Sequence, residues 1–279
     1  MTTQTKGYAV VTGASAGIGA VYADRLAHQG YDLILVARRD DRLKALATQI
    51  TGKTGRHVET VTADLGNAAS RKKIEEILSN DSRITLLVNN AGLAAVTPLL
   101  QSNVDRMEEI IDVNVNALMR LTYAVVPAFV TRGGGSIINI GSVVAVGPEV
   151  LNGVYGGTKA FVLAFSQSLR HELTDKGVRI QVVLPGATAT DIWANAGLPV
   201  ENLPKEIVMQ TEHMVDAALA GFELGEFVTV PALADDRQWE TYEKQRQALI
   251  PVLGGSEPAP RYRPREPHAG LPEALSALL

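Results

Sequence analysis

The sequence predicts a doubly wound α/β fold, in which helices cover both faces of a seven-stranded parallel sheet. Short β-branched runs alternate along the chain with longer stretches of helical periodicity. Most of the runs are apolar on both faces, which is typical of parallel strands that helices cover on each side. The predicted strands are residues 8–11, 33–36, 57–61, 84–88, 137–140, 180–184 and 227–230.

The composition is that of a globular protein and excludes several classes of function. The 279 residues are 46% hydrophobic and 20% charged, which supplies ample material for a buried core. The net charge of -4 argues against nucleic acid or an anionic membrane as the partner. Because the chain has no cysteine and its five histidines are scattered, no metal site is predicted. With no apolar leader and no run of about 18 apolar residues, we expect a cytoplasmic protein without a membrane partner.

The chain divides into a predicted domain over residues 1–250 and a proline-rich extension over residues 251–279. Residues 235–249 predict a polar surface helix, and six of the 13 prolines follow in the extension. Such a segment forms neither a long helix nor a central strand. Leu271, Leu275 and Leu278 recur at helical spacing, which predicts a short helix packed on its own subunit or a neighbour. A disordered terminus is the alternative.

A glycine-rich turn over residues 12–19 (TGASAGIG) follows the first predicted strand and opens a helix. Gly13, Gly17 and Gly19 would allow a tight turn and let the backbone approach a pyrophosphate at the positive N-terminus of that helix. The pattern alone is weak in a chain with 25 glycines. Its place after the first strand favours phosphate binding over a plain strand–turn–helix connection.

Two arginines stand where an NAD-binding fold carries an acid. That acid lies at the end of the second strand and binds the ribose 2′-hydroxyl. Here Arg38 and Arg39 occupy this place, which favours NADP(H), because an arginine can bind the 2′-phosphate bidentately. Asp40 and Asp41 follow at once, so a solvated basic turn is the alternative.

Tyr155 and Lys159 are four residues apart and therefore share one face of a predicted helix. The pair is weak by itself, but it follows residues 89–92 (NNAG) after the fourth strand and Ser142 after the fifth. The order and spacing of these motifs resemble the short-chain dehydrogenase/reductase family across roughly residues 5–232. The resemblance implies a Rossmann fold with strand order 3-2-1-4-5-6-7 and a homodimer or homotetramer.

The resemblance also implies the residues of the site. The catalytic residues would be Asn114, Ser142, Tyr155 and Lys159. The cofactor would be bound by Gly13, Ser15, Gly17, Ile18, Gly19, Arg38, Arg39, Asp64, Leu65, Asn90, Ala91, Gly92, Tyr155, Lys159, Pro185, Gly186, Thr188 and Thr190, with Asn89 also in the segment matched to the ribose. Ala16 departs from the basic residue of many NADP-preferring members, so the 2′-phosphate would depend mainly on Arg38.

These residue types suit the reduction of a carbonyl group. Tyr155 would be the proton donor, with its pKa of about 10 lowered by the charge of Lys159. Ser142 would stabilise charge that develops on the substrate oxygen. In the family picture, Asn114 anchors a water of a proton relay. We therefore predict an NADP(H)-dependent aldehyde or ketone reductase that is reversible as an alcohol dehydrogenase.

Other functions remain open from the sequence. The same residues would serve an enzyme that reduces C=N bonds or acts on a steroid or sugar alcohol. A catalytically idle NADP-binding redox sensor has no need of Tyr155 and Lys159 together, and a methyltransferase leaves them unexplained. A substrate lid is expected over residues 190–212, where five apolar residues either line a pocket or only pack the lid: Ile192, Trp193, Leu198, Val200 and Met209. Residues 71–73 predict a solvated helix face and residues 133–135 a turn.

Overall fold

The parallel sheet has its seven strands in the order β3-β2-β1-β4-β5-β6-β7, as predicted. The structure is a computed structural model and describes residues 5–263. The strands are β1 (Tyr8–Thr12), β2 (Asp32–Ala37), β3 (Val58–Thr62), β4 (Ile84–Asn89), β5 (Gly135–Ile140), β6 (Val178–Val183) and β7 (Val228–Thr229). Each lies within about two residues of its predicted position.

Helices follow the strands and cover both faces of the sheet. They are α1 (Gly17–His28), α2 (Asp40–Thr54), α3 (Ala68–Asn80), α4 (Val104–Ile111), α5 (Leu118–Arg132), α6 (Gly153–Leu173), the single-turn α7 (Ile192–Asn195), α8 (Thr211–Leu224) and α9 (Arg237–Leu249). A π-helical segment, Asp112–Ala117, joins α4 to α5. Of the turn predicted over residues 133–135, Gly133 ends α5 in the left-handed conformation, whereas Gly135 is already the first residue of β5.

The alternation of side chains along each strand builds two apolar cores, one on each face of the sheet. In β1, Ala9 and Val11 belong to the core that also contains Leu26 and Met214, while Val10 lies in the opposite core. A strand with both faces buried must be apolar at every position, because successive side chains point to opposite faces. This is why the strands are continuous apolar runs in the sequence.

One helical segment is contrary to the expectation that no run of the chain is apolar enough to span a membrane. Val104–Arg132 is apolar enough over 18 residues to cross a membrane by length and composition alone. Its residues Leu121, Val125 and Phe129 are buried in the core beneath the sheet. Burial of this kind is typical of a helix that packs on a sheet, which must present an apolar face to it.

Arg71 is a correction to the predicted solvated face of residues 71–73. Lys72 and Lys73 are exposed, but Arg71 is buried on α3 and its Nη1 donates to the carbonyl of Leu65 over 2.9 Å. The helix turns this position toward the sheet, and the guanidinium reaches a backbone carbonyl there. A charged run in a sequence does not reveal which of its members lies on the inner face.

Contacts divide the described chain into two units, up to Ala232 and from Leu233 onward. In the second unit, α9 buries none of its residues, as the polar pattern predicted. Residues 250–263 contain the short 3₁₀ turns Ile250–Val252 and Pro260–Tyr262. The predicted helix at Leu271, Leu275 and Leu278 lies outside the described residues, and the boundary after residue 250 stays a prediction.

Tyr22 provides a test of the core. Its side chain is fully buried on α1, and its hydroxyl has no hydrogen-bond partner among residues 5–263. An unpaired buried hydroxyl costs about 1–3 kcal/mol, so Tyr22→Phe should leave the melting temperature unchanged or raise it. Tyr22→Ala is the comparison, because the cavity it leaves should cost about 3–5 kcal/mol. A lower melting temperature for Tyr22→Phe would show that the hydroxyl is paired.

Candidate active site

The turn after β1 and the loop after β4 are bonded to each other at the carboxyl edge of the sheet. The Thr12 hydroxyl accepts from the backbone N–H groups of Asn90 and Ala91, each over 3.0 Å. The Asn90 side-chain amide donates to the Thr12 carbonyl over 2.7 Å. Since β1 and β4 are neighbours in the sheet, these bonds hold the two loops side by side.

The glycines of the turn are required by its geometry. Gly13 and Gly17 have φ of 67° and 54°, in the left-handed region that favours glycine. A Cβ on Gly19 would lie 2.5 Å from both the Gly13 carbonyl oxygen and the Asn90 amide nitrogen. No side chain caps α1, and its first turn has no acidic residue. The amide groups at this N-terminus are therefore open to an anion.

A cavity of about 900 Å³ lies along this edge of the sheet. It is lined by every residue predicted to contact the cofactor except Gly19 and Asn89, and by three of the four predicted catalytic residues, Ser142, Tyr155 and Lys159. Gly19 lies behind the turn, where it permits the close approach to Asn90. Among the described residues, no group of three acidic or histidine side chains is placed to hold a metal ion.

Asn89 does not line the cavity, contrary to its match with the ribose segment. It is the last residue of β4, and its side-chain amide donates to Thr122 over 3.2 Å and to Asn139 over 3.0 Å inside the protein. The following residues, 90–92, leave the strand and do line the cavity. Consecutive strand residues point to opposite sides, which separates Asn89 from its neighbours.

Tyr155 and Lys159 lie in the first two turns of α6. The side chain of Asn152 caps this helix by accepting from the N–H groups of Val154 and Tyr155 over 2.9 and 3.3 Å. The Lys159 Nζ donates to the Ile140 carbonyl over 2.9 Å and lies 5.9 Å from the centre of the Tyr155 ring. The cap and this bond fix both side chains against the end of β5.

Asn114 is buried in the π-helical segment and does not line the cavity. Its Oδ1 accepts from the Leu93 N–H over 2.8 Å, and its Nδ2 donates to the Leu93 carbonyl over 2.9 Å and to Thr158 over 3.0 Å. Thr158 in turn donates to the Tyr155 carbonyl over 2.8 Å. Asn114 therefore joins the loop after β4 to the helix that carries Tyr155.

Ser142 follows β5, and its hydroxyl forms two long hydrogen bonds besides its interaction with the Tyr155 phenol. Its hydroxyl donates to the Pro185 carbonyl and accepts from the Val144 N–H, both over 3.4 Å. Bonds of this length are weak, so little free energy opposes a turn of the hydroxyl toward a carbonyl oxygen beside Tyr155.

Burial dominates the acid–base properties of the site. It raises the pKa of Tyr155, and the Ser142 hydroxyl offsets part of this rise. Burial also lowers the pKa of Lys159 to about 8. The predicted lowering of the Tyr155 pKa by Lys159 is therefore not seen in the chain by itself. The reason is geometric, since the ammonium donates to the Ile140 carbonyl rather than to the phenol.

Arg38 is the free cation at the far end of the cavity. It is exposed, lines the cavity, and forms no hydrogen bond or ion pair with the residues that the structure describes. Arg39 lies 3.5 Å from the Ser15 hydroxyl through its Nη2. Asp40 forms an ion pair with Lys44 over 2.7 Å and accepts a hydrogen bond from the Thr62 hydroxyl over 2.8 Å, so it does not neutralise Arg38.

The predicted lid contributes partly to the cavity and partly to packing. Ile192 and Trp193 line the cavity, and the Trp193 indole donates to the Thr188 carbonyl over 2.9 Å. Leu198, Val200 and Met209 do not line it, and Met209 instead packs on the core. Further lining residues are not predicted from the sequence. Arg106 lies on α4 and Asn195 on the single-turn α7, and the others lie in segments without a periodic pattern: Val143, Val144, Val150, Leu151, Leu203 and Ile207.

Known proteins are similar to this chain over most of its length. The family model described as short chain dehydrogenase matches residues 7–200. A short-chain dehydrogenase from Sphingobium yanoikuyae, solved in complex with NADPH, is 45% identical with a TM-score of 0.90, and the match covers 92% of this chain and 100% of that one.

Two further relatives are similar to the chain. A bulky-bulky ketone specific alcohol dehydrogenase from Comamonas testosteroni is 38% identical with a TM-score of 0.86, covering 94% of this chain and 100% of that chain. Sulfoacetaldehyde reductase 2 of Chromohalobacter salexigens is 38% identical over 185 residues, which are 65% of this chain and 73% of that protein.

The lowered pKa of Lys159 predicts a pH dependence of stability. The unfolded lysine keeps its proton to about pH 10.5, whereas the folded one loses it near pH 8. Between these values the unfolded state binds more protons, so stability rises with pH. From pH 7.5 to 9.5, the free energy of unfolding should rise by about 1–2 kcal/mol relative to Lys159→Met, which lacks the group. Urea denaturation measures this.

A change at an exposed lysine, Lys53→Met, is the control and should follow the wild type across the same pH range. If wild type and Lys159→Met respond to pH in parallel, Lys159 titrates normally and burial has not lowered its pKa.

Proposed function

The chain belongs to the short-chain dehydrogenase family of oxidoreductases, and on this basis we propose that it is an NADP(H)-dependent carbonyl reductase, reversible as an alcohol dehydrogenase. One observation carries the proposal. Tyr155, Ser142 and Lys159 line the same cavity as a glycine-rich turn that is open to a pyrophosphate and an unpaired arginine placed for a 2′-phosphate. This constellation joins a proton donor to a dinucleotide site, as the reduction of a carbonyl requires.

The residues of the cavity fit NADP(H). Gly13, Gly17 and the open N-terminus of α1 would hold the pyrophosphate, while Arg38 would bind the 2′-phosphate beside Ser15 and Arg39. Asp64 would accept a hydrogen bond from the amino group of the adenine. Thr188 and Thr190 would hold the nicotinamide carboxamide or the pyrophosphate. The relative from Sphingobium yanoikuyae, which binds NADPH, supports this choice of cofactor. When bound, the cofactor supplies the hydride or accepts it in the reverse reaction.

The protein's own side chains would transfer the proton to the substrate. Tyr155 donates its hydroxyl proton to the carbonyl oxygen of the substrate, and Ser142 donates a hydrogen bond to the same oxygen. Because burial raises the pKa of Tyr155, the phenol keeps its proton at neutral pH, as a reductase needs. Lys159, held at the Ile140 carbonyl, would stabilise the phenolate that remains. Asn114 would keep the helix of Tyr155 in register with the loop after β4.

The exposed aromatic face of α5 and α6 supports a homodimer or homotetramer. Tyr123 is 69% exposed and stacks on Phe165, which stacks on Phe161, with ring centres 6.3 and 5.5 Å apart. A contiguous aromatic surface of this kind is costly in water and favours association.

Association should be visible by light scattering. At micromolar concentration, the wild type should have the mass of a dimer or tetramer. Tyr123→Glu should shift it toward the monomer, because the charge would have to be buried in the interface. A wild-type monomer would refute the assembly, and an oligomer unaffected by Tyr123→Glu would place the interface elsewhere.

Tyr155→Phe tests the proposed proton donor. The variant should retain NADPH binding and lose about 10²–10⁴-fold in kcat with an aldehyde or ketone, because the hydroxyl is the proposed proton donor to the substrate oxygen. Absorbance of NADPH measures turnover, and fluorescence titration measures binding. Tyr22→Phe, which removes a buried hydroxyl away from the cavity, is the matched control. A kcat above about a tenth of wild type would remove Tyr155 from this role.

Arg38→Gln tests the choice between NADPH and NADH. A charge-assisted contact with a phosphate is worth about 1.5–3 kcal/mol, so the KM for NADPH should rise about 10- to 150-fold while that for NADH changes little. Arg39→Gln, at the residue near Ser15, should have a smaller effect. An unchanged NADPH/NADH preference in Arg38→Gln would mean that Arg38 does not bind the phosphate.

A further inference from the structure

The substrate end of the cavity has apolar walls from two separate segments. One wall comes from the segment after β5, with Val143, Val144, Val150 and Leu151. The other comes from the lid, with Ile192, Trp193, Leu203 and Ile207. Tyr155 packs in one apolar cluster with Val144 and Ala196, which Leu151 and Ile192 also contact, so both walls meet beside the proposed acid.

Three of these apolar side chains are exposed at the cavity in the chain alone. Val143, Val150 and Ile207 have exposed fractions of 40%, 71% and 57%. A hydrocarbon group that covers them gains roughly 25 cal/mol for each Å² of apolar surface removed from water. Trp193 adds only apolar surface, because its single N–H already donates to the Thr188 carbonyl.

Among the described residues that line this end of the cavity, each cation is already bonded within the chain. Lys159 is buried and its Nζ donates to Ile140. Arg106 forms an ion pair with Glu109 over 2.6 Å. The one charged side chain of the lid that lines the cavity is the acid Asp191.

The remaining basic residues belong to the opposite end of the cavity. Arg38 follows β2, whereas Ser142 follows β5, and β1 and β4 lie between these strands. Three strand spacings separate the two ends by about 14 Å. A carboxylate or sulfonate that lost its water against these walls would therefore lack an unpaired cation beside it, which is unfavourable.

We propose that the substrate is an uncharged ketone, or the corresponding secondary alcohol, with hydrocarbon groups on both sides of the carbonyl, and that anionic substrates are rejected. The inference rests on the proposed function and names its substrate class. It separates this chain from its relative sulfoacetaldehyde reductase 2, whose named substrate carries a sulfonate. The polar contacts at the carbonyl come from Tyr155 and Ser142, and the two apolar walls receive the two hydrocarbon groups.

The test uses three ketones that share one phenyl ketone skeleton: butyrophenone, methyl 4-oxo-4-phenylbutanoate and the 4-oxo-4-phenylbutanoate anion. With NADPH at neutral pH, kcat/KM for the two neutral ketones should exceed that for the anion by about 100-fold or more, given the cost of burying an unpaired charge. Equal or better turnover of the anion would overturn the proposal. Loss of that activity in Arg106→Gln would then identify Arg106 as the anion's partner.

A gain-of-function variant tests the same proposal by adding a cation to the wall of the cavity. Val150→Arg, at an exposed residue of the cavity wall, should raise kcat/KM for the anion at least about 10-fold and lower it for butyrophenone, because it supplies the missing cation. Leu224→Arg adds the same charge at an exposed residue outside the cavity and should change neither. Equal responses to the two arginines would contradict the proposal.

Acetaldehyde and sulfoacetaldehyde separate failure of the substrate class from failure of the proposed function. Turnover of either aldehyde without turnover of the neutral ketones would overturn the substrate class and leave the reductase intact. If none of the five compounds is reduced with NADPH, the proposed function fails and the substrate class with it.

Discussion

The site depends on the adjacency of β1 and β4 in the sheet. The chain leaves β1 toward β2 on one side and later returns to β4 on the other, so the connections diverge and open a crevice at the carboxyl ends. Thr12 and Asn90 close the base of this crevice by bonding the two loops together. Every residue that lines the cavity is placed relative to this junction, including those on α6, because Asn114 ties that helix to the loop after β4.

Buried polar side chains connect the layers behind the cavity. Asn89 on β4 donates to Asn139 on β5 over 3.0 Å, and Asn139 donates to Ser166 on α6 over 2.9 Å. Such bonds are strong where water is excluded, and a buried amide that loses its partner is costly. The chain thereby fixes the distance between β5, which ends beside Ser142, and α6, which carries Tyr155. The arrangement of the reacting groups follows from core contacts as well as from the loops.

Most of the fold and much of the site could be predicted from the sequence, because the signals are local. Apolar runs specify the strands, and the glycine-rich turn requires conformations that only glycine adopts easily. Gly19, Asn89 and Arg71 are positions that these local signals do not predict correctly. Their neighbours in sequence line the cavity or the surface, yet these three lie behind them, since which face a residue takes depends on packing across the fold. The apolar wall after β5 escaped prediction because residues 143–151 have no periodicity, whereas Ile192 and Trp193 of the lid wall are among the residues expected either to line a pocket or to pack the lid.

Burial shifts the pKa values of Tyr155 and Lys159 in opposite directions. Removing water disfavours the charged form of each, so the phenol of Tyr155 holds its proton more tightly while the ammonium of Lys159 holds it less tightly. The pKa values of the two groups therefore move apart, with that of the phenol above that of the ammonium. In the proposed reaction, the phenolate left by proton transfer from Tyr155 would form near Lys159, and the cost of burying each charge would fall because the other is present. Isolation from water thus keeps Tyr155 protonated at neutral pH, and the proposed transfer depends on Lys159 and Ser142 to stabilise the charge that forms.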